Sequence, residues 1–353
     1  MAVKRVVTAL LAAMLLCVCA QAAEIPAELY DALPEEAAEL AGAGLPEAAG
    51  HLMQSLLSAL HSAVGACMRG GVLLTLTVLL TGAAEGAAAG MGESAARFVP
   101  FAGVLGVTAL SAGDLSALIG LGAATVQELA SLTKLLLPTM AAALAGCGGT
   151  ITASAWQVGT LWASDVLTSA IGELLLPLVY CHIALAAAGA SLPESGLDKL
   201  ADGLKKLVTW LLCGALTLFT LLLSVSSVLT GSADRAAVRA AQAAVSGAVP
   251  VVGGILSGAA EAVLGAAHTL RAAVGALGVL GVLLVCLTPL VRLGVQYLIY
   301  KAAALVCAMS GVKTLERLLE QLGDAFGLVF GMTAAAATLL LVALLVSISM
   351  VVM

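Results

Sequence analysis

The sequence predicts an all-helical, polytopic integral membrane protein, and three observations carry that prediction. The 353-residue chain is 61% hydrophobic and 10% charged, with a mean hydropathy of +1.12. Soluble domains are roughly half apolar and a quarter charged, so the bilayer is the solvent to reason with. The long Ala/Leu/Gly runs lack the ~10-residue polar/apolar alternation of a transmembrane barrel strand, so backbone groups crossing lipid must be satisfied inside helices.

At the N-terminus, Lys4 and Arg5 precede the apolar stretch Val6 to Cys19 and the small-x-small triplet Ala20-Gln21-Ala22. This is the layout of a secretory signal peptide over residues 1–22, cut near Ala22. The competing reading is an uncleaved signal anchor, although the apolar core is shorter than the about 20 residues a span requires. Residues 23–62 are the most polar stretch, with Glu24, Asp31, Glu35, Glu36, Glu39 and Glu47 and prolines at 26, 34 and 46. They are expected outside the cytoplasmic membrane. Within them Leu52, Leu56, Leu57 and Leu60 recur at helical spacing, an amphipathic pattern suited to the interface. His51 and His61 have no Cys or acidic residue at ligand spacing and read as solvated surface rather than a metal site.

The multi-pass membrane domain is expected over residues 63–353. Candidate spans fall at 64–84, 99–121, 135–155, 166–190, 207–230, 273–291, 293–312 and 325–352, which makes about eight, with seven as the main alternative. Asp114, Glu173, Arg69 and Lys301 fall within or near spans, where a charge costs at least about 2.5 kcal/mol and must face helices, water or the membrane edge. Lys301 and Arg69 have stems long enough to snorkel. Asp114 and Glu173 do not, and they form a candidate intramembrane polar site of the ion-relay kind; the bland alternative is a misplaced span boundary. Pro138, Pro177 and Pro289 lie inside spans, where each removes a backbone donor. Gly82-x3-Gly86-x3-Gly90, Gly254-x3-Gly258, Gly327-x3-Gly331 and Gly275-x2-Gly278-x2-Gly281 sit at helix-contact spacing, favouring close packing within the bundle or in a homo-oligomer.

Three stretches interrupt the spans. Residues 191–206 form an amphipathic connector, with Leu197, Leu200, Leu204 and Leu207 on one face, running into Trp210. Residues 231–271 read as a broken helix interrupted at Pro250, either two half-helices re-entering the membrane or a hairpin on its surface; the re-entrant form requires a cavity or partner. Residues 313–324 form a charged connector with Leu315, Leu318, Leu319 and Leu322 on its apolar side. Basic residues in the connectors divide six against five between the two sides, so the positive-inside rule gives no orientation.

The net charge of -6 is thinly spread, without a basic block to track phosphates, so nucleic acid is not an expected partner. The eight cysteines include no CxxC pair and read as small membrane hydrophobes. A P-loop, a GxSxG elbow, an HExxH helix and a paired Cys/His ligand set are all missing, so neither an enzyme nor a cofactor or metal protein is expected. Anything the chain moves must draw energy from a partner or a gradient.

Residues 231–265, GSADRAAVRAAQAAVSGAVPVVGGILSGAAEAVLG, are similar to the stage III sporulation protein AE family of endospore-forming bacteria. Asp234, Arg239 and the run Pro250-Val251-Val252-Gly253 carry the resemblance, which extends from about Gly189 to the C-terminus; Gln242 departs from the basic residue expected there. The resemblance implies a noncatalytic, multi-pass component of the mother cell-to-forespore channel or transport complex, in the mother-cell-derived outer forespore membrane. Its implied partners are other stage III sporulation membrane proteins, including a separate ATPase and ring-forming components. Asp234, Arg239, Pro250 and Gly253 are then a structural or partner-contact element. From the residues alone, an independent ion-coupled secondary transporter and a purely structural membrane scaffold remain alternatives.

Overall fold

The computed structural model describes residues 45–88, 93–146, 150–192, 196–248 and 253–349, and every regular element among them is helical. In chain order these are α1 (Leu45–Ala88), α2 (Glu93–Gly146), α3 (Thr150–Ser169), a π-helical turn (Ala170–Leu175), α4 (Leu176–Ser191), α5 (Leu197–Ala248), α6 (Gly253–Ser310) and α7 (Lys313–Ser349). The expected signal peptide and the polar segment as far as residue 44 lie outside the described residues.

Among the described residues six stretches are long and apolar enough to cross a membrane: Met53–Ala88, Phe98–Gly146, Ile151–Ser191, Leu197–Leu223, Val274–Ser310 and Lys313–Ile348. The expected eight become six because helices run through sites read as connectors. Between the expected spans 99–121 and 135–155, α2 continues with Val126, Leu129, Leu132 and Thr133 buried and Gln127, Glu128, Ser131 and Lys134 exposed on the other face. A polar gap in the sequence is thus one side of an amphipathic helix. Likewise α6 passes unbroken through Arg292, the position between the expected spans 273–291 and 293–312, with Pro289 inside it. At 54 and 58 residues, α2 and α6 are about 80 and 87 Å long, well beyond the ~30 Å hydrocarbon core.

Pro177 falls just after the π-helical turn. Proline cannot donate to the carbonyl four residues back and its ring crowds that turn, so widening the helix there relieves the clash while keeping the chain helical.

The centre of the bundle is the α6/α7 hairpin. α6 packs against α1, α2 and α7, and α7 against α2, α4 and α5 as well. In both, 56% of the most apolar window is buried, against 22–28% in the other four spans. The hairpin turns at Gly311, whose φ of +81° is strained for any side chain. Its N–H donates to the Ala308 carbonyl at 3.3 Å, closing the end of α6. Exposed Leu80, Phe98, Leu218 and Leu305 suit contact with lipid rather than water.

Residues 197–206 open α5 and residues 313–324 open α7, each at the start of a stretch long and apolar enough to span. Leu315, Leu318, Leu319 and Leu322 are fully buried, so the 313–324 segment is core rather than interface. In 191–206 the buried face is marked by Ala201 and continues at Val208 and Leu212, whereas Leu200, Leu207 and Trp210 point outward. Around the expected break at 231–271, α5 ends at Ala248 and α6 begins at Gly253; residues 249–252 lie outside the described residues.

Candidate functional site

Two polar constellations sit within this apolar bundle. The first gathers α1, α2 and α6 around Asp114. On α6, Arg292, Gln296 and Tyr300 recur every four residues and so form one stripe; on α2, Ser111 and Asp114 are three apart and share a face. Gln296 donates through Nε2 to Asp114 Oδ2 at 3.1 Å. The same oxygen would lie 3.0 Å from a Cβ at Gly70, so the carboxylate packs against the backbone of α1 where only glycine leaves room. Gly70 and Arg292 are close to the midpoints of the α1 and α6 spans, which puts the cluster deep in the bundle.

This cluster is incompletely satisfied. Ser111 Oγ, Arg292 Nε, Gln296 Oε1 and the Tyr300 hydroxyl are buried without a hydrogen-bond partner among the described residues. The hydroxyl lies near Ser111 and Gln296, yet neither approach has hydrogen-bond geometry. An unmade hydrogen bond on a buried group costs about 1–3 kcal/mol, so these donors and acceptors beside the carboxylate suit internal water.

The second constellation joins α5, α6 and α7 near the end of the bundle where α6 turns into α7. Asp324, with its side chain 8% exposed, receives Lys205 at 2.7 Å and Lys301 at 2.9 Å. Lys301 also meets the Glu320 carboxylate at 3.6 Å and lies 5.8 Å from the Tyr297 ring centroid. A carboxylate this buried needs such pairing, since an isolated charge there would be heavily penalised. Alongside, Arg317 bonds Asp198 at 3.1 Å, and buried His182 of α4 lies between the carbonyl oxygens of Ala201 at 3.0 Å and Gln321 at 3.1 Å. These contacts tie α4, α5 and α7 together. A cavity of about 490 Å³ adjoins the junction, lined in part by Lys205, Tyr297, Asp324, Leu328 and Phe330.

Of the residues singled out from sequence, Asp114 takes its place in the first constellation. Glu173 does not join it: it is exposed on the π-helical turn. Lys301 is paired within the bundle rather than snorkelling, while Arg69 is exposed. Asp234 and Arg239 fall on α5 and Gly253 opens α6, but their side chains, and Pro250 altogether, lie outside the described residues. Gln296, Lys205, Asp324 and His182 escaped the sequence reading. The four-residue spacing of Arg292, Gln296 and Tyr300 in an apolar helix was a usable signal; Lys205 and Asp324 were hidden in segments that read as surface connectors. Among the described residues no group of three or more His, Cys, Asp or Glu side chains is placed to hold a metal ion.

Residues 41–351 match the family model described as stage III sporulation protein AE. Among curated proteins, the chain is similar to stage III sporulation protein AE of Bacillus subtilis (strain 168), 25% identical over 181 residues, which cover 51% of this chain and 45% of that protein. The chain thus matches slightly less than half the length of that relative. No solved structure matches.

Proposed function

The chain belongs to the stage III sporulation protein AE family, and on that premise we propose that it is a noncatalytic component of the mother cell-to-forespore channel or transport complex required for sporulation. In this reading it resides in the mother-cell-derived outer forespore membrane and works beside other stage III sporulation membrane proteins, a separate ATPase and ring-forming components among them. The observation that carries the proposal is the family match over nearly the whole membrane domain. An all-helical, multi-pass bundle with polar groups turned inward is a suitable frame for it. Deleting the gene in its native host tests the reading: forespore development halts after engulfment and is restored by the intact chain. Normal spores from the deletion strain would refute it.

The polar centre favours a second reading, an ion-coupled permease in which Asp114 binds the coupling ion beside Gln296. Asp114→Asn then abolishes transport in reconstituted vesicles at an unchanged protein level. Retained transport would leave the centre a purely structural role.

A further inference from the structure

The cavity between α5, α6 and α7 changes character along its length. Lys205 is about two turns into α5 and Asp324 about three turns into α7, while Lys301 is about two and a half turns before the end of α6. All three charges therefore lie toward the same end of the bundle. Since α6 runs opposite to α7, Gly294 on one and Gly327, Leu328 and Phe330 on the other lie deeper. The wall is ionic at its outer end and apolar at its inner end. Leu298 and Phe330 are 64% and 37% exposed, so the cavity opens on the flank of the bundle, where an apolar surface faces lipid.

The ionic end retains capacity to bind. Lys205 gives one hydrogen to Asp324 and has no other protein partner among the described residues, and its side chain is 41% exposed. An ammonium carries three donors, so two remain for a ligand oxygen. Lys301 is different, being shared between Asp324 and Glu320. At the apolar end two lining glycines lie against aromatic rings: a Cβ at Gly294 would touch Phe330 at 3.7 Å, and one at Gly327 would crowd the Tyr297 ring at 3.2 Å.

We propose that this cavity is a binding site for one glycerophospholipid, with its phosphate on Lys205 and an acyl chain in the apolar depth between Gly294, Leu328 and Phe330. The volume of about 490 Å³ falls within the ~300–1,000 Å³ of small-molecule sites. The polarity gradient is that of the lipid itself: charged at the headgroup level, apolar below. Neither half of the ligand uses the whole site, because a free phosphate leaves the apolar depth empty and an uncharged lipid leaves the two remaining Lys205 donors unused.

Native mass spectrometry of the full chain, released from detergent after incubation with phosphatidylglycerol, with diacylglycerol of the same chains, or with glycerol phosphate, tests this. The expected result is retention of one phosphatidylglycerol at least about fivefold above diacylglycerol, the preference one lysine supplies near a membrane surface. Glycerol phosphate should not displace it. Lys205→Gln removes the preference and Lys205→Arg preserves it. Gly294→Leu fills the depth and lowers retention while leaving the Lys205–Asp324 pair intact, which separates loss of the site from loss of the fold. Equal retention of diacylglycerol, displacement by glycerol phosphate, or retention unchanged in both Lys205→Gln and Gly294→Leu would overturn the proposal.

Discussion

Gln296 and Asp114, 182 positions apart in sequence, share a hydrogen bond of 3.1 Å at mid-bundle, and the carboxylate oxygen that accepts it rests on the backbone of a third helix at Gly70. One acidic side chain on α2 therefore touches both α1 and α6. Asp114→Asn keeps its shape and a carbonyl acceptor, and should leave thermal unfolding of the purified protein nearly unchanged. Asp114→Ala leaves the Gln296 amide buried without a partner and should cost about 1–3 kcal/mol. Gly70→Val drives a side chain into the carboxylate and should destabilise at least as much; equal melting of all three variants would show the contact to be idle.

Asp324 holds two lysines from different helices. Asp324→Asn leaves both ammonium groups without their buried counter-charge and should cost on the order of 3 kcal/mol. Lys205→Met should cost less, because Lys301 still pairs with the carboxylate and the Lys205 side chain is 41% exposed. Thermal unfolding in detergent, compared across both variants, checks the order.

The three tryptophans divide cleanly. Trp156 is 1% exposed and donates Nε1–H to the Ala343 carbonyl at 3.2 Å, whereas Trp162 and Trp210 are 59% and 74% exposed. In vesicles of brominated lipid, single-tryptophan variants retaining Trp162 or Trp210 should be quenched strongly and one retaining Trp156 weakly. Trp156→Phe should additionally cost about 1 kcal/mol for the lost hydrogen bond.

Glycines should respond to substitution according to what faces them. A Cβ at Gly103 would lie 2.5 Å from Thr81 Cγ2, and one at Gly122 would collide with Val329. Alanine at either should destabilise by about 1–3 kcal/mol, as overpacking does. Gly113 has nothing within 4 Å, and alanine there should be neutral or slightly stabilising through its better helix propensity. Detergent-resistance assays on the three variants read the contrast directly.

The fold class was legible because composition and run length act on every residue at once. Span boundaries were harder, since a hydropathy reading treats Gln127, Glu128 and Lys134 as a gap, whereas a helix spreads them over one face and buries Val126 and Leu129 on the other. The same projection explains why Leu318 and Leu322 read as an interfacial face and are core. Asp114 was visible as a charge out of place. Its partner Gln296 was not, because uncharged amides cost little in a composition count and the pairing is set by tertiary packing alone. Glycine motifs gave a mixed return: Gly275 and Gly278 do meet side chains of α7 closely, yet Gly86 faces open space, and tight contacts at Gly103 and Gly122 belong to no motif.

The α6/α7 hairpin also sets a timetable. It supplies the most buried surface of the molecule, yet the ribosome makes it only after α1 to α5. The earlier helices must therefore wait in the bilayer with their inward faces, Asp114 included, lacking the groups that will cover them. Closure of the bundle therefore follows synthesis of the hairpin, and a nascent chain stalled ahead of Gly311 lacks α7 and every contact it makes with α2, α4, α5 and α6.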